Sequence, residues 1–112
     1  MSKILASAAL FAALSLTVLT PAMAADGEYT LTIKDHKFSP ETLEVPAGQK
    51  FKLTVINADE TPEEFESHEL NREKVIKGNS KGIINLGPLE AGTYPFFGEF
   101  NIETAKGQIV AK

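Results

Sequence analysis

Residues 46–55 read Pro46-Ala47-Gly48-Gln49-Lys50-Phe51-Lys52-Leu53-Thr54-Val55. After the Pro/Gly turn, Phe51, Leu53 and Val55 alternate with Lys50, Lys52 and Thr54. A period of two places apolar side chains on one face and polar ones on the other, the mark of a strand with one buried face. The pattern extends both ways. Upstream, Tyr29, Leu31 and Ile33 alternate with Thr30, Thr32 and Lys34, and Leu43 and Val45 start a second run after the turn Phe38-Ser39-Pro40-Glu41. Downstream, Ile83–Leu86 is a strand, Pro88–Gly92 turns, Thr93–Glu99 is extended and aromatic-rich, and Gly107–Ala111 is a final strand. Residues 100–106 read as a loop. Glu63–Leu70 reads as extended or as the start of a short helix. Asn71–Ile76 is open, because Arg72, Glu73 and Lys74 form helices readily while Val75 and Ile76 prefer strands. The expectation is an all-β sandwich of about seven strands, separated by turns at intervals of roughly ten residues. Leu31, Ile33, Leu53, Val55, Phe65, Ile84, Leu86, Tyr94 and Phe96 are its expected core.

The chain has 112 residues, no cysteine, no tryptophan and a formal net charge of −4. That length suits one core. Lys3, the charge-free apolar run Ile4–Leu19 and the small-x-small site Ala22-Met23-Ala24 read as a helical signal peptide over residues 1–24. The domain is then 25–112, and the periplasm is its expected location. The apolar run is short and no stop-transfer segment follows it, so no membrane insertion is expected after cleavage. Losing Lys3 makes the domain still more acidic, which argues against binding nucleic acid or anionic lipid. Without cysteine there is no disulfide, no lipobox and no thiolate, so a blue-copper centre is excluded.

The densest cluster of chemistry-bearing residues is Thr61-Pro62-Glu63-Glu64-Phe65-Glu66-Ser67-His68-Glu69. In extended chain, side chains at i and i+2 share a face about 6.7 Å apart. Glu64, Glu66 and His68 then point one way, and Phe65 points the other as the core anchor. Carboxylates with an imidazole suit Cu(II), iron, manganese or zinc. The same run also reads as a solvated acidic loop. In Tyr94-Pro95-Phe96-Phe97-Gly98-Glu99-Phe100-Asn101, Phe97 and Phe100 flank Glu99. Desolvated there, Glu99 needs a cation or a proton; exposed at the strand end, it needs neither. His36, between Asp35 and Lys37, reads as a surface residue or as a nitrogen ligand approaching from the first strand. No glycine elbow accompanies a Ser/His/Asp set, and no phosphate-cradling glycine loop is present.

Phe38-Ser39-Pro40, Glu44-Val45-Pro46-Ala47-Gly48, Val55-Ile56-Asn57, Gly92-Thr93-Tyr94 and Gly107-Gln108-Ile109-Val110 resemble the outline of a cupredoxin domain. Pro62-Glu63-Glu64-Phe65-Glu66-Ser67, Arg72-Glu73-Lys74-Val75-Ile76 and Phe96-Phe97-Gly98-Glu99-Phe100 narrow the resemblance. They are similar to the EfeO-type cupredoxin-like family, in particular to the small periplasmic cupredoxin component of Ftr-type bacterial ferrous-iron uptake systems. The resemblance implies a Greek-key sandwich and a copper or iron site to which Glu64, Phe65 and Glu66 contribute. Ordinary cupredoxins take Cys, His and Met ligands from the loop after the aromatic strand. Those positions fall at Gly98, near Asn101 and near Ala105 here.

The expected function is a periplasmic protein that binds copper and/or iron and assists iron uptake. It would help oxidise Fe(II) or deliver iron to a permease or another uptake component, without being a stand-alone enzyme. The expected ligands are Glu64, Glu66 and Glu99, with His36 or His68 as the nitrogen donor. The alternative is a metal-free interaction module that docks on a permease or partner through its acidic face.

Overall fold

The computed structural model describes residues 27–112, and the expected signal peptide, residues 1–24, lies outside them. Nine strands follow in chain order: β1 Glu28–Lys34, β2 Lys37–Ser39, β3 Thr42–Val45, β4 Phe51–Asn57, β5 Glu63–Ser67, β6 Arg72–Ile76, β7 Ser80–Leu86, β8 Gly92–Gly98 and β9 Lys106–Ala111. They form two sheets, ordered β2-β1-β4-β7 and β3-β9-β8-β5-β6. The alternating stretches of the sequence are strands here, and the fold is the expected all-β sandwich.

The two strands beyond the expected seven are β2 and β6. β2 has three residues, too few to display a period. β6 is an edge strand whose residues are exposed except Ile76, so no alternation marks it. Cross-strand pairing with β5, from Glu63↔Ile76 to Ser67↔Arg72, draws Arg72–Ile76 into the sheet. β1 and β2 join through Asp35 and His36, both at positive φ (52° and 58°). This two-residue turn follows the right-handed twist of its strands. The Asp59 carboxylate caps it, accepting the Asp35 and His36 amides at 2.8 and 3.0 Å.

Leu31, Ile33, Leu53, Val55 and Phe65 are fully buried between the sheets, and Phe96, Ile84 and Leu86 nearly so. Phe38, Phe65 and Phe96 pack as a trio with ring centroids 5.0–6.2 Å apart. Gly107 lies opposite Phe96, and a β-carbon there would sit 2.5 Å from the ring, so glycine makes room for the trio. Tyr94 is only partly buried, because its hydroxyl reaches outward to the Glu90 carbonyl at 2.7 Å. Three polar side chains share the interior: Asn57, Glu63 and Ser67. Asn57 donates to the Thr61 and Ile76 carbonyls and accepts the Asp59 amide, tying the end of β4 to β6 and to the chain entering β5. Ser67 donates to the Pro95 carbonyl and accepts the Leu70 amide. Among the described residues no buried side-chain nitrogen or oxygen lacks a partner.

Truncating Phe65 or Phe96 to alanine is expected to cost about 3–5 kcal/mol. Urea unfolding followed by circular dichroism measures this, and a loss under 1 kcal/mol (about a third of the lower bound) would contradict the aromatic core.

Candidate metal centre

β5 carries the chemistry because both of its faces are acidic. Glu63, Phe65 and Ser67 point inward, while Glu64 and Glu66 stand half-buried on the outer face. Each face makes a different site.

On the inner face, Glu63 is 1% exposed. Its Oε1 accepts the Glu64 amide at 3.0 Å and the Phe100 amide at 2.9 Å. Its Oε2 accepts Asn101 Nδ2 at 2.7 Å. Phe100 and Asn101 belong to a 3-10 turn, Glu99–Asn101, within the stretch expected to be irregular. The turn is closed behind by Ala105 N donating to the Asn101 carbonyl and Gly98 N donating to the Ala105 carbonyl, both at 2.9 Å. Glu63, Gly98, Asn101 and Ala105 thus meet at one point. A β-carbon at position 98 would lie 2.6 Å from Glu63 Cδ and 2.7 Å from Ala105 Cβ. The space that a ligating side chain would need at Gly98 is filled by the Glu63 carboxyl group. Ala105 has no donor atom, and the Asn101 amide is engaged by Glu63. The residues of this cavity do not fit a copper ion.

On the outer face, Glu64, Glu66 and Glu73 each bring a carboxylate oxygen within 4.8 Å of the others. Glu66 and Glu73 are direct cross-strand partners on β5 and β6. Like charges so placed disfavour the pairing unless something neutralises them. Glu99 opens the turn that packs against β5, and it can share a proton with Glu66 in a hydrogen bond. Partial burial, that hydrogen bond, and the charges of Glu99, Glu64 and Glu73 push the Glu66 carboxyl above its ordinary value. Among the described residues the ion pairs are His36–Asp59, Lys52–Glu28 and Lys112–Glu44, and none involves these four glutamates. Oxygens at such spacing can share one cation, whose metal–oxygen distances run about 2.0–2.6 Å.

The expected ligands divide accordingly. Glu64 and Glu66 come together, joined by Glu73, a residue absent from the expected set; Glu99 lies outside that trio and acts on Glu66 alone. Glu99 is exposed rather than desolvated, because Phe100 beside it is itself 50% exposed. His68 lies at the rim with its ring against Phe97, centroids 5.5 Å apart, in a groove shared with Glu66, Arg72 and Glu73. His36 is not brought to the glutamates; its Nδ1 is 3.6 Å from Asp59 in the β1–β2 turn. The inner Glu63 was the other residue missed. The signal was present, since a period of two from Phe65 puts Glu63 on the core side.

Two sheets and a loop after the aromatic strand that closes one end of the sandwich make the frame. The chain belongs to the Cupredoxin-like domain family, matching it over residues 4–111. It is 49% identical over 83 residues to an uncharacterised protein of Rickettsia prowazekii (strain Madrid E). That stretch is 74% of this chain and 66% of the relative, just under two thirds of its length. Auracyanin A, a blue copper protein of Chloroflexus aurantiacus, superposes with a TM-score of 0.66 at 14% identity, over 76% of this chain and 98% of its own. Amicyanin of Paracoccus versutus (Thiobacillus versutus) gives 0.62 at 17% identity, over 80% and 84%. A chain of a heme-copper terminal oxidase dimer gives 0.65 at 12% identity, over 78% of this chain and 66% of that one. At these identities the likeness is one of fold. This cupredoxin-like domain keeps the frame without the cysteine that a type 1 copper site needs.

Two outcomes follow from this arrangement. Gly98→Ala forces a β-carbon against Glu63 and Ala105, and is expected to destabilise the domain by about 1–3 kcal/mol in urea unfolding. The second concerns pH. Glu66 holds its proton more tightly in the folded state, so its protonated form favours folding at low pH, and that contribution fades as pH rises through the raised value. The difference in melting temperature between metal-free wild type and Glu66→Gln should therefore move against wild type from about pH 4 to pH 7. A difference that stays constant would contradict the crowded outer cluster.

Proposed function

We propose that this domain is an exported metal-binding protein that carries copper or iron as cargo on the outer acidic face of its second sheet and serves iron uptake by delivery to a membrane permease. The observation that carries the reading is the outer cluster: Glu64, Glu66 and Glu73 lie close together, with Glu99 acting on Glu66 and no lysine or arginine paired to any of them among the described residues. Hard carboxylate oxygens suit iron ions, and an imidazole at the rim, His68, adds affinity for Cu(II). The exposed position allows a held ion to be passed on. Export rests on the apolar, Ala-x-Ala-terminated start of the chain, and the iron-uptake role on its resemblance to Ftr-type components.

A second reading draws on the filled inner cavity. With no metal position left inside, the domain is an interaction module, and the exposed Phe100 and Ile102 beside Glu99 and Glu103 are its contact surface.

Calorimetric titration of Cu(II), and of Fe(II) without oxygen, separates the two. The metal reading expects Glu64→Gln and Glu66→Gln each to weaken binding about tenfold or more, while His36→Ala binds as wild type does. It also expects Cu(II) to raise the melting temperature more than Mg(II) does. If no ion binds, or every variant binds alike, the interaction module stands instead.

A further inference from the structure

We propose that the Glu63 carboxylate has taken the place of the metal in this cupredoxin-like domain, organising the loop that a copper ion would otherwise hold and thereby positioning Glu99 against Glu66. The role in positioning Glu99 rests on the outer-face reading above; the inner role does not. Glu63 is a positioning residue here, not a metal ligand.

A stretch between two strands whose only regular element is a three-residue 3-10 turn needs partners for its backbone groups. Residues 99–105 obtain them from a single inward-pointing side chain and from each other. Glu63 accepts the Phe100 amide and the Asn101 side chain. Asn101, so held, accepts the Thr104 and Ala105 amides at its own carbonyl. The path therefore runs from β5 through Glu63 to Phe100 and Asn101, and from Asn101 to the start of β9.

Three features argue that the role is structural rather than ligating. Every partner of the Glu63 carboxyl group is an N–H donor, and both oxygens are engaged. Its surroundings offer no second ligand, since Gly98 and Ala105 bring no donor atom. The volume at Gly98 is filled by the carboxyl group itself.

The consequence reaches the other face. Glu99 opens the 3-10 turn that Glu63 holds, one residue before Phe100. With Glu63 in place, the turn packs against β5 and holds Glu99 on the side of the strand where Glu66 lies. Glu63 and Glu66 belong to the same strand, so inner hydrogen bonds and outer carboxylates are fixed by one segment of five residues.

The test uses the mature chain with Glu63→Gln, Asn101→Asp and Glu66→Gln. It reads the metal-free melting temperature, hydrogen exchange of the Phe100 amide, and calorimetric titration with Cu(II). Asn101→Asp is the decisive variant, since it sets a second carboxylate against Glu63. The proposal expects Glu63→Gln and Asn101→Asp both to melt lower and to speed exchange at Phe100 about tenfold or more. It expects Asn101→Asp to gain no affinity for Cu(II). Loss of Cu(II) affinity in Glu63→Gln while Glu66→Gln binds as wild type does would make Glu63 a ligand and overturn the proposal, as would wild-type melting and exchange in both Glu63→Gln and Asn101→Asp. If Glu66→Gln loses Cu(II) affinity while Glu63→Gln keeps it, the link to Glu99 is wrong. If all three variants bind Cu(II) as wild type does while Phe100 exchange still rises, the outer-site reading fails and the inner role stands.

Discussion

Three N–H groups converge on one buried carboxyl group at the end of the sandwich. The amides of Glu64 and Phe100 and the side chain of Asn101 all point at Glu63. Burying an ionisable group is costly unless its hydrogen-bonding capacity is met. Here it is met from three directions, and the neighbouring structure follows from that requirement. Gly98 must lack a side chain because the carboxyl group occupies its space. Asn101 must be an amide, because a carboxylate in its place would repel Glu63. The turn Glu99–Asn101 must point the Phe100 amide inward, which leaves the Phe100 ring outside at 50% exposure.

A cupredoxin frame can keep its sheets while its centre changes, because the two are held by different forces. The sheets rest on the aromatic trio and on aliphatic side chains between the layers, far less dependent on the identity of the loop. The loop rests on polar contacts at one end. Exchanging a metal for a carboxylate as the loop's organiser therefore leaves the frame similar to auracyanin A and amicyanin, at TM-scores of 0.66 and 0.62. The outer face of β5 carries a separate cluster. The glutamates there repel one another across β5 and β6 and gain from any cation that settles among them.

Strand parity made much of this legible. Period two from Phe65 separates Glu64 and Glu66 from the core, and the structure keeps that separation. The same rule applied one step further names Glu63 as the inward carboxylate. As one member of an acidic run, Glu63 reads as solvated, because charge in a run usually is. The order of residues leaves Glu99 open between a desolvated and an exposed position, since three nearby phenylalanines look like a shell; the structure decides for exposure, and the buried carboxyl group is Glu63. Two of the three turn out not to enclose Glu99: Phe97 is half-buried beside His68, and Phe100 points to solvent.

The sequence by itself determined the sandwich, its core and the absence of a thiolate centre. These follow from alternation, from turn residues and from a composition without cysteine, all of which act locally or not at all. Only the tertiary structure decided which residues meet. Glu63 and Asn101 are 38 positions apart and bond because β5 and β8 pair antiparallel, Phe65 opposite Gly98. Glu73 joins Glu66 because β6, an edge strand with no alternation of its own, takes its register from β5. His36 is drawn to Asp59 because a two-residue turn needs its amides capped. Register and capping are long-range choices, made by the packed sheets and not by the order of neighbouring residues.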